Sequence, residues 1–125
     1  MKAMFINKLT HAGIPYADAI AAGIKPVETR SRDMLRRLMG ERVAIVKTVR
    51  GKRPAVVGFC DIVRADFCPL SAWDRVRDIA LIPPGSAFDC KGRGKWCYWI
   101  ENAERVKPYP LPENAVRHGR SWCEF

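Results

Sequence analysis

The sequence predicts an α+β fold, a small curved or closed β-barrel with short helices plugging one end. Three observations lead there. The elements follow one another as helix, strand, helix, hairpin, helix and strand. The strands are too short and too amphipathic for a parallel sheet buried on both faces. The 125 residues set one compact core as the default, so a single domain over residues 1–125 is expected. Closure into a barrel suits short strands because it removes the edges that an open sheet would expose.

In chain order, Ile14, Ala17, Ile20 and Ile24 stand at helical spacing, with Pro15 in the first turn and Gly23 where a left-handed C-cap belongs. Pro26 forbids continuation of that helix. Residues 27–30 then read as a strand with Glu28 and Arg30 on one face. A second short helix is expected over 33–39, burying Met34, Leu35 and Leu38 and ending at Gly40. Residues 42–48 and 55–63 form a hairpin across a basic turn. Ser71, three residues before Asp74, opens a third helix with Trp73, Val76 and Ile79 inward, stopped by Pro83 and Pro84. Residues 85–95 make a mobile basic loop, and 95–106 return to strand with Trp96, Tyr98 and Ile100 on one face. Pro108, Pro110 and Pro112 force an extended connector before residues 118–122.

Composition narrows the function. No apolar run approaches the roughly 18 residues that span a bilayer, and the first residues lack a secretory apolar stretch. The expected compartment is the cytoplasm, with no membrane partner and a monomer as the expected state. With 22 Lys and Arg against 13 Asp and Glu, the net charge is +9, which directs suspicion to a polyanion. The five cysteines, 60, 68, 90, 97 and 123, include no Cys-x-x-Cys pair and no zinc-ligand histidine spacing. They read as reduced packing thiols, and neither a metal nor a cofactor is expected.

The densest polar information is the run Pro-Tyr-Ala-Asp-Ala-Ile-Ala-Ala-Gly-Ile-Lys-Pro-Val-Glu-Thr-Arg, residues 15–30. It resembles the signature of the ASCH family, a branch of the PUA-like superfamily, whose mark is a helix ending in Gly-x-Lys-x-x-Glu-x-Arg. Gly23, Lys25, Glu28 and Arg30 fill all four places. More loosely, residues 42–47, 57–59 and 99–106, with Gly119 and Trp122, resemble later parts of that family. The resemblance implies a PUA-like small β-barrel with a cleft beside the Lys and Glu motif that binds RNA or a nucleotide-like ligand.

The residues support that on their own terms. A helix closed by Gly23 brings the Lys25 ammonium toward the strand bearing Glu28 and Arg30. Two cations around one carboxylate can hold a phosphate or a polar base edge. The competing explanation is an ion-pair network tying helix to strand, but such a network would balance its charges and this one does not. Arg36, Arg37, Arg50, Lys52, Arg53, Lys91, Arg93 and Lys95 are candidates for a phosphate track, although for any one of them a solvated face is the commoner explanation. Trp96, Tyr98, Trp99 and Trp122 could stack on unpaired bases, at least half of them being core instead.

Two other functional classes stay open. A bacterial branch similar to ASCH hydrolyses the amide of acylated cytidine nucleosides with a Lys at the place of Lys25, a Thr and a Glu. Here Glu28 occupies the Thr position, Thr29 follows one place later, and the motif does not place that branch's Glu. As an enzyme the chain would use Lys25 and Glu28, on such an amide or on single-stranded RNA. The other class is an interaction domain whose basic face meets an acidic protein. His11 and His118 read as surface or structural histidines, and Thr29 and Ser121 have no sequence-adjacent activator.

Overall fold

In the computed structural model, the described residues are 1–7, 10, 11 and 13–125, with the side chains of residues 10 and 11 outside the description. The reading of His11 therefore falls outside the described residues. Seven strands form one curled sheet, a half-barrel with short flanking helices. They are β1 (Lys2–Ile6), β4 (Val27–Arg30), β5 (Arg42–Lys47), β6 (Ala55–Cys68), β7 (Lys95–Pro110), β8 (Val116–His118) and β9 (Trp122–Glu124), in the spatial order β4-β7-β6-β5-β1-β9-β8. A separate ribbon pairs β2 (Thr10–His11) with β3 (Ile14–Pro15), just before the helix α1 (Tyr16–Ala21). The second helix, α2, covers Trp73–Ile79. The architecture is α+β.

The curl has a local cause. The ladder between β6 and β7 shifts register at three places, between Val56 and Gly58, Phe59 and Asp61, and Ile62 and Arg64. Each extra residue bends its strand and raises its twist, so a 14-residue and a 16-residue strand wrap around the core. Inside the curl, Ala17, Ile20 and Ala21 of α1 pack with Ile45, Ile62, Tyr98 and Ile100. A Cβ at Gly58 would lie 2.8 Å from the Ala21 Cβ and 2.3 Å from the Glu104 carbonyl oxygen. Only a glycine lets the helix and β7 both approach there. On the opposite face of β4 and β7, Val27 and Cys97 pack against Trp73, Ala80 and Ile82.

Several sequence expectations are corrected. The first helix is shorter than 14–24: Pro15 is still extended, and Ile14 and Ile24 are 39% and 49% exposed. The segment 33–39 holds only a 3-10 turn, Arg36–Leu38, which buries Leu35 and Leu38 but leaves Met34 39% exposed. Ser71 does not cap α2, because Leu70–Ala72 is itself a 3-10 turn leading into it, and Ile79 is exposed. Pro108 and Pro110 lie within β7 rather than in a connector. They are tolerated because β4 pairs only with Trp96–Trp99, leaving the far half of β7 with one ladder. The loop 85–94 is tied down: Asp89 accepts from Trp73 Nε1 at 2.6 Å, Gly85 N at 2.7 Å and Cys90 N at 2.8 Å. Strand β1, not anticipated, runs parallel to β5 and antiparallel to β9 in the middle of the sheet.

Candidate functional site

The route to the site begins at the end of α1. The Gly23 amide donates to the Ile20 carbonyl and the Ile24 amide to the Ala19 carbonyl, with Gly23 at φ +77°. This is a Schellman closure, whose left-handed residue turns the chain back across the helix end. Lys25 follows directly, its own amide on the Ala19 carbonyl, and its side chain is driven inward to 1% exposure. Gly23 itself does not line the cavity; it aims the residue that does.

Lys25 enters a cavity of about 520 Å³ at the seam where the curled sheet brings the edge strand β4 against β1. Arg30 spans that seam, donating from Nη2 to the Phe5 carbonyl at 2.7 Å and to Glu28 Oε2 at 3.1 Å. The other carboxylate oxygen of Glu28 accepts the Thr29 amide at 3.0 Å. Glu28 and Arg30 therefore share a face, as the strand period predicts. Thr29 also lines the cavity, because the cavity follows the unpaired edge of β4 and draws on both faces.

The expectation of two cations gathered on one carboxylate is half met. Arg30 pairs with Glu28, but Lys25 Nζ donates to the Ala80 carbonyl and lies 4.4 Å from the centre of the Tyr16 ring. Tyr16 in turn donates to the Leu81 carbonyl. The reason lies after α2: Leu81 takes a positive φ of 61°, and the carbonyls of residues 80 and 81 meet the two side chains from α1 and its cap. Burial holds the Lys25 ammonium below its ordinary lysine range; the charge of Glu28 opposes that shift, and Lys95 and Arg30 add to it. Burial also raises the Tyr16 phenol, with Glu28 contributing.

A second buried lysine joins them. Lys95, at the start of β7, is 6% exposed and donates to the Phe88 carbonyl at 2.6 Å; burial lowers its pKa as well. Among the described residues, the lining thus holds seven basic side chains, Lys25, Arg30, Arg32, Lys91, Arg93, Lys95 and Arg120, and two carboxylates, Glu28 and Asp89. That excess of five positive charges requires an anionic ligand or counter-ions.

Of the candidate phosphate track, Lys91, Arg93 and Lys95 reach the cavity, while Arg36, Arg37, Arg50, Lys52 and Arg53 do not line it. Arg36 pairs with Asp33 and covers Trp96. Arg53 pairs with Glu113 beside a separate small cavity. None of the four proposed stacking aromatics lines the site. Tyr98 is fully buried with its hydroxyl on Asp33, Trp99 lies under Arg64, and Trp122 stacks on His118. Ser121 faces Met34. The cavity's aromatics are Phe5, Tyr16 and Phe88. No sequence signal marked Tyr16, Arg32, Arg120 or the carbonyls of 80 and 81 as neighbours of Lys25. All five cysteines are free; burial pushes Cys60 and Cys97 up to about 12, which fits protonated packing thiols.

No protein-family profile matches the chain, and no curated protein sequence does. The fold, however, has solved counterparts. The crystal structure of ASCH from Zymomonas mobilis superimposes with a TM-score of 0.62 at 20% identity, covering 87% of this chain and 73% of that one. A serine-to-alanine mutant of that protein gives 0.62 at 21%, covering 87% and 74%. A tyrosine-to-phenylalanine mutant gives 0.62 at 21%, covering 89% and 77%. The chain thus shares the fold of the Zymomonas mobilis ASCH structures, a curled sheet with short flanking helices.

Proposed function

We propose that the chain is a nucleic-acid or nucleotide-binding domain of the ASCH type, preferring RNA, and that the seam cavity is its binding site. The observation that carries this reading is the charge of the lining, where the described residues bring seven basic side chains against two carboxylates. In it Lys25 and Arg30 contact phosphate or base, Glu28 orients Arg30, and Lys91 and Arg93 attract the backbone from the rim. The Gly23, Lys25, Glu28 and Arg30 pattern and the barrel fold support placing the chain in that family. We place it in the cytoplasm, where its free thiols stay reduced.

The test is an anisotropy titration of a short labelled single-stranded RNA with wild-type and Lys25→Met protein at about 50 and 200 mM salt. Binding that weakens steeply with salt and is lost in the variant is the expected result. Binding unchanged by Lys25→Met, but abolished by changes at Lys91 and Arg93, would reduce Lys25 to a structural residue.

One observation favours a second reading, catalysis. Lys25 is a buried amine held below its ordinary pKa, and Thr29 and Glu28 line the same cavity. An amine held below its ordinary pKa has a larger unprotonated fraction at a given pH, and that form is a base or nucleophile. Acetate released from an N4-acetylated cytidine, or shortened RNA on a denaturing gel, with either product absent for Lys25→Met, would support it. No product between about pH 6 and 9 would sink it.

A further inference from the structure

We propose that the floor of the seam cavity is built for a terminal phosphomonoester, so that the ligand enters phosphate end first. This rests on the nucleotide reading above and adds which part of the nucleotide occupies the floor. Three cations and one carboxylate of the lining lie close enough to act on one another, Lys25, Lys95, Arg30 and Glu28; the other lining carboxylate, Asp89, already pairs with Arg77. Each lysine ammonium has three N–H donors, and in each case one goes to a main-chain carbonyl, of Ala80 and of Phe88. Among the described residues, neither lysine has a carboxylate within ion-pair distance. Glu28 hydrogen-bonds the Thr29 amide and Arg30 and reaches the two lysines only by its charge, which opposes the effect of burial on both.

The floor therefore holds two positive charges more than its single carboxylate balances. A buried cation in that position either loses its proton or takes up an anion. An internal phosphodiester brings one negative charge. A phosphomonoester brings close to two at neutral pH, its second pKa being about 6, with three terminal oxygens to accept from Lys25, Lys95 and Arg30 together. A dianion matches the excess.

Access points the same way. At 1% and 6% exposure, the two lysines lie deep in a cavity whose volume of about 520 Å³ falls among pockets that enclose one small ligand, roughly 300–1,000 Å³. A chain terminus can reach such a floor with a single arm leading out. An internal diester would need room for two. The remaining cations, Arg32, Lys91, Arg93 and Arg120, are all exposed, which places them to meet the next phosphate at the rim.

The experiment compares one single-stranded RNA sequence with 5′-hydroxyl, 5′-phosphate or 3′-phosphate ends, labelled at the far end, against the full chain. Calorimetry adds inorganic phosphate and the four ribonucleosides with their 5′- and 3′-monophosphates. One phosphorylated end should bind about tenfold or more tightly than the hydroxyl end, and inorganic phosphate should compete that gain away. Which end gains identifies the source of the phosphate. Lys95→Met should lower affinity for every RNA but erase the difference between the phosphorylated and hydroxyl ends, with a circular-dichroism melt confirming the fold; an end preference of about tenfold that survives in Lys95→Met would overturn the proposal. Equal affinity of wild-type protein for all three ends would overturn the proposal and leave the RNA reading standing. Nucleosides binding as tightly as their monophosphates would overturn it too. Binding of monophosphates and inorganic phosphate but of no RNA would keep the phosphate floor and overturn the RNA reading. Binding of none of these would overturn both.

Discussion

Arg30 carries more of the architecture than its place in a motif implies, because its guanidinium is a direct link from β4 to the Phe5 carbonyl of β1. Replacing it with methionine removes two charge-assisted hydrogen bonds, and leaves Glu28, 7% exposed, without its cation. The expected loss is about 1.5–3 kcal/mol, seen as a lower urea midpoint at unchanged slope. Asp89 gives a prediction in pH. The amides of Gly85 and Cys90, the Trp73 indole and Arg77 hold its carboxyl down to about 2, below an unfolded value of about 3.9. Its contribution is therefore complete above the unfolded value and lost as pH falls through the folded one. Wild type should exceed Asp89→Asn in thermal stability at pH 6, and the gap should narrow steadily toward pH 2, followed by tryptophan fluorescence. Gly23, Lys25, Glu28 and Arg30 were legible in the sequence because one turn and one strand hold all four. Lys95 was legible only as one basic candidate among eight, and its place beside Lys25, like that of Tyr16 and the two carbonyls after α2, was not, since tertiary folding alone brings them together.

Elements were legible where a local signal marked their ends. Gly23 closes α1 at the predicted place, Gly40 ends the 3-10 turn with φ +79°, and the hairpin of β5 and β6 follows its basic turn. Strand β1 escaped because five residues at the start of a chain show neither a period long enough to count nor a preceding turn. Its character comes from being covered, with Ala3, Met4, Phe5 and Ile6 all buried between β5 and β9. The shortness of α1 was hidden for a related reason: Ile14 and Ile24 fit a helical period by spacing but lie outside the helix in space. Gly58 supports a test of how α1 seats on the sheet. The Gly58→Ala methyl meets a backbone carbonyl and the Ala21 Cβ, so it should cost about 1–3 kcal/mol and weaken ligand binding in parallel, through the displaced cap and Lys25. Stability unchanged by Gly58→Ala would show that helix and strand have room to part.

The net charge of +9 is not spread as one track. Part of it gathers at the cavity, and part faces elsewhere on the turn at Arg50, Lys52 and Arg53. The two groups should separate in a salt titration. Removing Lys91 or Arg93 should lower RNA affinity and reduce the slope of log affinity against log salt by about one each. Removing Arg50 or Lys52 should change neither by a comparable amount. The parallel and antiparallel ladders of β1 carry a consequence in time. Ala3 pairs with Ala44 and with Cys123, so the strand's second partner is almost a full chain away, while β5, β6 and β7 pair as neighbours. Contacts between distant residues form slowly and late. The meander is therefore expected to assemble first, with β1 and β9 docking afterwards, an order that pulsed hydrogen exchange on their amides can read. Phe5 and Ile6 are the β1 side of the cavity, so a chain caught before that docking has most of its sheet and most of its cations but one wall of the cavity missing: full competence to bind arrives with the final strand.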